Sequence, residues 1–138
     1  MKKLNYFILI LILLSPIWNS CELEETEIKV ADLVGFWDVQ ENSKYFKKSL
    51  SGYYRAEIVR DPSDTAYIFV KNFYELKNNL RAKVTGRDIS IPQQTLNGYY
   101  VQGFGRVSVT NNRIDFFYRV DFRDGDIDTV DAVYNRVR

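Results

Sequence analysis

The sequence predicts an all-β fold: a single antiparallel up-and-down β-barrel of about eight strands. From Leu33 onward, apolar residues recur at every second position, which is the period of a strand with one buried face. Turn residues interrupt this alternation at short intervals and favour local hairpins, and no helical period is evident after the N-terminal segment. A β-sandwich is the alternative, because its strands alternate in the same way. The barrel is favoured because a closed sheet leaves no edge exposed.

Residues 1–20 have the layout of a secretory signal peptide. Two lysines follow the first methionine, an unbroken apolar run covers residues 6–14, and Pro16 stands before a polar stretch. The apolar run is too short to span a bilayer, which takes about 20 residues. We therefore expect export and cleavage; an uncleaved hydrophobic tail is the alternative.

Cys21 is the only cysteine of the chain and directly follows Ser20. A lone cysteine in an exported protein has no internal disulfide partner. A small residue and then a cysteine at the end of a signal peptide resembles the acceptor site of bacterial lipoproteins, in which the cysteine is diacylated and later N-acylated. The resemblance implies that Cys21, carrying palmitate or similar chains, attaches the protein to a membrane, and several chains anchor stably.

Residues 21–31 are predicted to form an acidic tether, and residues 32–138 to form the barrel. Residues 22–27 include four glutamates, and a run of like charges repels itself rather than packing. The same run resembles the acidic signal that directs some lipoproteins of Gram-negative bacteria to the outer face of the outer membrane. The expected location is therefore the outer membrane, with display on the cell surface as one option.

The predicted strands are defined by apolar residues that share one face. These inward residues are Trp37 and Val39 in the first strand; Tyr54, Ala56 and Ile58 in the second; Ala66, Ile68 and Val70 in the third; Leu80, Ala82 and Val84 in the fourth; Ile89 and Ile91 in the fifth; Ile114, Phe116, Tyr118, Val120 and Phe122 in the seventh; and Val130, Ala132 and Tyr134 in the eighth.

Glycine, proline, asparagine and aspartate place the turns between these strands. Turns are expected at residues 61–64, 85–88, 111–112 and 124–126. Pro92 is expected to close the fifth strand. The sixth strand is predicted over residues 98–109, with a bend or bulge at its two glycines, 103 and 105.

The opening of the first strand, LVGFWDV at residues 33–39, contains Gly-x-Trp and resembles the lipocalin and wider calycin signature. Further similarity along residues 84–86, 89–94 and 103–105 is to small lipocalin-like bacterial lipoproteins. The resemblance implies that Trp37 plugs one end of the barrel and that Arg136 packs across it. An arginine over an indole face contributes about 0.5–2 kcal/mol, depending on burial.

Composition argues against most kinds of catalysis. The 138-residue chain contains no histidine, which removes the commonest general base and metal ligand. With Cys21 assigned to lipid, thiol nucleophiles and zinc sites are also excluded, and no phosphate loop or nucleophile elbow occurs. Removal of residues 1–20 leaves 17 basic and 18 acidic side chains, so there is no basic excess for nucleic acid. We expect no enzyme activity, cofactor or metal.

Aromatic residues occur as adjacent pairs, and they are the candidate ligand-binding residues. Neighbours in a strand face opposite ways, so each pair places one ring inside and one outside. Such rings could stack on a sugar or other planar ligand, but tyrosine and phenylalanine also simply favour strands. The candidates are Tyr53, Tyr54, Tyr99, Tyr100, Phe116 and Tyr118.

Two acidic features of the sequence are candidate sites. The DGDID run at residues 124–128, with Asp131, has a superficial likeness to a calcium loop, but its glycine is misplaced and residue 135 is asparagine instead of glutamate. Carboxylate-based glycoside hydrolysis has no local pair to support it, because Glu57 and Asp115 alternate outward. We interpret the first as a hairpin turn and the second as strand surface.

The sequence therefore supports two functions. The first is a membrane-anchored binding protein whose barrel takes a small apolar or glycan-like ligand at the cell envelope. The second is a structural or protein-interaction domain whose barrel is filled by its own side chains. A cavity within the barrel would favour the first function, and a packed interior would move the expected site to the surface.

Overall fold

Eight antiparallel strands form a closed barrel in the computed structural model, which describes residues 26–44 and 53–138. The strands are β1 (Gly35–Asn42), β2 (Tyr53–Arg60), β3 (Tyr67–Lys71), β4 (Leu80–Thr85), β5 (Asp88–Leu96), β6 (Tyr99–Val107), β7 (Arg113–Asp121) and β8 (Ile127–Arg136). Each strand pairs with the next, and β8 returns to pair with β1. The predicted up-and-down barrel is confirmed, and the sandwich alternative is wrong because the first and last strands hydrogen-bond to each other.

Helical structure in the described part of the chain is limited to two 3₁₀ turns, Val30–Asp32 and Phe73–Glu75. Within residues 26–44 and 53–138, no helix has the length and apolar character needed to cross a membrane. This agrees with the absence of a helical period in the sequence.

The inward faces of the strands carry most of the apolar residues that the period of two selected, whereas Ala66 and Phe122 lie just outside β3 and β7 and are only partly buried. Those that are completely buried include Trp37, Val39, Ile58, Ile68, Val70, Leu80, Ala82, Val101, Ile114, Tyr118, Val120, Val130 and Tyr134. Charged residues between them face outward, where some form exposed cross-strand ion pairs such as Arg55 with Asp38 at 3.0 Å. Pairs of this kind contribute little individually, about 0–1 kcal/mol, so burial of the inner face stabilises the barrel.

The N-terminal approach to β1 belongs to the packed structure. Ile28 is only 7% exposed, and Val30 packs against the core. Leu33 is completely buried just before β1 begins. Packing thus begins ahead of the predicted boundary at residue 32, while Cys21 lies outside the described residues.

Pro92 does not close the fifth strand, so that prediction is wrong. β5 continues to Leu96, and the ladder to β6 shifts register between Ile91 and Gln94. Two residues, Pro92 and Gln93, thereby stand opposite one residue of β6 in a β-bulge. The bulge tolerates proline because its extra residue needs no ladder hydrogen bond.

A bend or bulge was predicted at the glycines of β6, but the extra residue lies in β5. The β6–β7 register runs unbroken from Tyr100 opposite Asp121 to Val107 opposite Ile114. Gly103 instead allows the backbone of β7 to approach closely, and Gly105 leaves space for the Phe116 ring. The strand is also shorter than predicted, because it ends at Val107.

The segment between β3 and β4 closes the barrel end opposite Trp37. Its residues Phe73 and Tyr74 are completely buried. Four of its non-glycine residues adopt the left-handed conformation: Asn72 (φ 57°), Tyr74 (φ 53°), Glu75 (φ 52°) and Lys77 (φ 56°). Such conformations persist only where tertiary contacts impose them. We call residues 72–77 the plug.

Candidate functional site

The six aromatic residues that the sequence selected do not form one site. Tyr54, Phe116 and Tyr118 point into the barrel, and Tyr99 lies half-buried with its ring centroid 5.0 Å from that of Phe122. Tyr53 and Tyr100 are exposed on the outside. The division follows from strand geometry, since neighbouring residues face opposite sides of the sheet.

Trp37 and Arg136 lie together at one end of the barrel. The Arg136 guanidinium carbon is 4.5 Å from the centroid of the Trp37 ring. The indole nitrogen donates to the Leu33 carbonyl at 2.9 Å, and Arg136 donates to the carbonyls of Asp32, Val34 and Asn111. Arg136, at the end of β8, is thereby hydrogen-bonded both to the chain around the start of β1 and to the turn between β6 and β7.

The other half of the interior is polar. Glu41 points inward from β1 and accepts hydrogen bonds from the hydroxyls of Tyr54 and Tyr118. Burial raises the pKa of both hydroxyls well above the usual value, and the nearby tyrosines and Glu41 raise it further. Both phenols therefore stay protonated and act as hydrogen-bond donors.

Asp128 is a second inward carboxylate, and it is completely buried on β8. Its oxygens accept hydrogen bonds from the Tyr74 hydroxyl at 2.7 Å, from the backbone nitrogen of Lys44 at 3.0 Å and from the hydroxyl of Ser43. A buried carboxylate is stable only with such donors. Asp128 thus holds the plug and the end of β1 together.

Tyr134 contributes a further completely buried hydroxyl, which neighbours the hydroxyl of Tyr54. Its ring packs edge-on against Phe116, with centroids 4.9 Å apart. Burial raises the pKa of this hydroxyl, and the charge of Glu41 raises it further, which places Tyr134 beside the same cluster.

Large side chains fill the described interior from both ends. Trp37 and Leu33 occupy one end, Phe73 and Tyr74 the other, and Tyr118 lies between, 4.6 Å from Phe73 by ring centroids. Depressions that a ligand could enter occur on the outside of the barrel.

Three cross-strand pairs line the outer face of β6 and β7. These are Tyr100 opposite Asp121, Gln102 opposite Arg119 and Phe104 opposite Phe117. The β5 bulge, formed by Pro92 and Gln93, borders the same face. We call these eight residues the outer patch.

Two adjoining depressions occupy the outer patch. One, of about 220 Å³, is lined by Tyr100 and Asp121 together with Gln93, Gln102 and Arg119. The other, of about 430 Å³, shares those last three residues and extends to Pro92, Phe104 and Phe117. A polar region therefore merges into an aromatic one, which is the composition of many small-molecule sites.

Among residues 26–44 and 53–138, no group of three or more acidic or cysteine side chains is placed to hold a metal ion. In the DGDID run, Asp124 accepts a hydrogen bond from the backbone nitrogen of Asp126 at 3.0 Å, as in an ordinary turn. Asp128 points away from that turn into the barrel.

Several site residues were missed by reasoning from the sequence. Glu41 and Asp128 interrupt apolar faces at inward positions, which is a signal that the period of two could have flagged. Gln93, Gln102 and Arg119 carry no such signal, because polar outward residues are ordinary in strands. The chain matches no protein-family model and no curated protein.

Proposed function

We propose that this chain is a non-catalytic, lipid-anchored envelope protein whose lipocalin-like barrel binds a glycan-like ligand on its outer patch. The observation that carries the proposal is the exposed pair Phe104 and Phe117. These rings are 61% and 39% exposed, and their centroids lie 5.5 Å apart on neighbouring strands. Two rings held by a rigid sheet offer a platform that loses little entropy on binding.

The surroundings of the platform favour a sugar over a purely apolar ligand. A sugar ring has an apolar C–H face and a rim of hydroxyls that both donate and accept hydrogen bonds. Gln93, Gln102 and Arg119 line both depressions, and their side chains make no hydrogen bond within the described structure, so they are available for such hydroxyls. Tyr100 is less suited to stacking, because Arg123 covers its ring at 4.7 Å from the centroid.

Alanine at both platform positions (F104A/F117A) is expected to weaken glycan binding at least about tenfold, which corresponds to about 1.4 kcal/mol and is typical of losing an aromatic anchor. Binding would be measured by calorimetry with soluble tetramers of β-1,4-linked glucose and N-acetylglucosamine, whose flat faces suit stacking. Phe36→Ala is the matched control, because Phe36 is 54% exposed but lies on β1. That variant is expected to bind like the wild type.

An equal loss in the Phe36 control, or unchanged binding in the double variant, would contradict the outer-patch site. Failure of the wild type to bind any soluble oligosaccharide would favour the second function, a structural or protein-interaction domain. The filled interior is the observation that supports this second candidate.

The proposed anchoring rests on the sequence of residues 1–31, which precedes the barrel. Signal-peptide layout, the single Cys21 and the acidic run after it together support an acylated protein at the outer membrane, facing the cell surface. The Gly-x-Trp opening and the Arg136 contact with Trp37 support membership of the calycin superfamily. The lack of histidine supports a binding role without catalysis.

Replacement of the acceptor cysteine (Cys21→Ser) is expected to abolish acylation and, because cleavage follows diacylation, to leave the chain unprocessed with its apolar N-terminal segment attached. Intact-mass measurement would detect both effects, and Ser20→Ala, which keeps a small residue, is the control that should still be acylated and cleaved. If the wild type is itself unprocessed and carries no acyl chains, the N-terminal segment is an uncleaved tail.

A further inference from the structure

Exposed apolar side chains collect at the barrel end where β1 begins. Val109, in the turn between β6 and β7, is 76% exposed, and Val34 and Phe36 are exposed on the chain that enters β1. We call these three residues the apolar rim. Single exposed apolar residues are ordinary on a protein surface, but a group at one edge marks a contact with a protein or a membrane.

The members of the apolar rim adjoin one another. Arg136 donates to the Val34 carbonyl at 3.2 Å and to the Asn111 carbonyl at 3.1 Å. Since Asn111 belongs to the same turn as Val109, the start of β1 lies next to that turn. Phe36 stands two residues beyond Val34 and extends the same apolar stretch onto the outer face of β1.

The chain that leads to the acceptor cysteine leaves the barrel at the same end. Ile28 is buried and Val30 packs against the core, so the chain is fixed to the barrel from Ile28 onward. Lys29 and Val30 line a depression together with Asp61 of the β2–β3 turn, which lies at this end. Seven residue steps separate Ile28 from Cys21, and they span at most about 25 Å when fully extended. A bilayer that holds Cys21 is therefore nearest to the apolar rim.

The turns at the two barrel ends differ in charge. The β6–β7 turn around Val109, residues 108–112, contains only serine, valine, threonine and asparagine. At the opposite end, the β7–β8 turn exposes Asp124 and Asp126 beside the exposed Ile127. Moving a charged carboxylate out of water is costly, whereas an uncharged turn enters the headgroup region without that penalty. The end that carries the apolar rim is thus the one suited to lipid.

We propose that the apolar rim inserts into the interface of the bilayer in which Cys21 is anchored, so that the barrel stands with its Trp37 end on the lipid. The inference rests on the acylation of Cys21 put forward above. The acyl chains supply the attachment, and the apolar rim fixes the orientation of the domain. The plug and the Tyr100–Asp121 part of the outer patch then face away from the bilayer, where a ligand can reach them.

Fluorescence quenching tests the proposal on the acylated mature protein in vesicles of phosphatidylethanolamine and phosphatidylglycerol. Acylation occupies the Cys21 sulfur, so a fluorophore can be attached to one new cysteine, Val109→Cys, and quenched by lipids that carry a nitroxide near the headgroup. Ile127→Cys is the matched control, because Ile127 is also an exposed apolar residue but lies at the plug end. Quenching at position 109 should be at least about threefold greater than at position 127, as expected for an inserted side chain.

Phe36→Asp supplies a second readout, because it places a charge in the apolar rim at an exposed position outside the core. Since that charge resists transfer into lipid, quenching at position 109 should fall at least about twofold. Equal quenching at positions 109 and 127 of an acylated protein would overturn the inserted rim and leave the anchor standing, and so would unchanged quenching in Phe36→Asp. Intact mass of the same sample identifies failure of the anchor, since a wild-type chain without acyl groups would overturn both proposals.

Discussion

Alanine in place of Gly103 is expected to destabilise the barrel by about 3 kcal/mol or more, toward the upper end of overpacking effects. A Cβ atom at this position would lie 2.4 Å from the Phe117 carbonyl oxygen and 2.6 Å from the Tyr118 Cβ. Both atoms belong to the backbone or are fixed to it, so relief requires β6 and β7 to separate. Urea unfolding followed by circular dichroism would measure the loss.

Gly105 provides the comparison for this prediction. A Cβ there would lie 2.4 Å from a ring carbon of Phe116, which is part of a side chain that rotation or truncation can remove. Gly105→Ala should therefore be rescued in part by Phe116→Leu, whereas no change at Tyr118 that leaves its Cβ in place should rescue Gly103→Ala. Wild-type stability of Gly103→Ala would show that the two strands do not approach this closely.

Loss of the indole in Trp37→Ala is expected to cost about 3–5 kcal/mol, the range for truncating a large buried aromatic residue. Trp37 is completely buried, donates to the Leu33 carbonyl at 2.9 Å and lies beneath Arg136. Its removal leaves a cavity. The Leu33 carbonyl loses its donor, and the Arg136 guanidinium loses the indole ring on which it packs. Thermal unfolding should be followed by circular dichroism, because the variant loses the tryptophan that would report by fluorescence.

A double-mutant cycle separates the ring contact from the cavity. Trp37→Leu combined with Arg136→Met should show a coupling energy of about 0.5–2 kcal/mol, the range for a cation–π pair, because each single variant removes one of the two partners. Phe36→Ala, at the exposed neighbouring position, should change stability by no more than about 0.5 kcal/mol. Additive effects at positions 37 and 136 would mean that Arg136 stabilises the barrel end only through its carbonyl contacts.

Strand order and the inward faces could be predicted from the sequence because both depend on local rules. A period of two assigns Ile114, Phe116 and Tyr118 to the same face wherever the strand lies. Short turns such as that at residues 124–126 force consecutive strands to pair. These rules led to the barrel with few exceptions.

The exceptions arise where a residue responds to its neighbour across the sheet. From the local sequence, Pro92 is expected to end its strand, but a β-bulge in β5 opposite β6 accommodates it. Gly103 is expected from the local sequence to weaken its strand, but the close approach of the β7 backbone at Phe117 and Tyr118 requires a glycine there. Neither partner can be identified from the local sequence.

The two candidate sites show the same division. Alternation alone places Tyr54 and Tyr118 inside the barrel and Tyr100 outside. Alternation does not predict that Glu41 accepts from their hydroxyls, that Tyr74 donates to Asp128, or that Phe104 lies beside Phe117. Each of these contacts joins residues from different segments of the chain.

The sequence by itself determined the barrel, its inner face and the expectation of export with an anchor at Cys21, because periodicity, turn residues and signal composition are local properties. Only the tertiary structure decided that the described interior is filled, that a strained plug covers two buried carboxylates, and that an aromatic platform lies on the outside. Closure of the sheet sets those distances, since it fixes which residues of different strands meet.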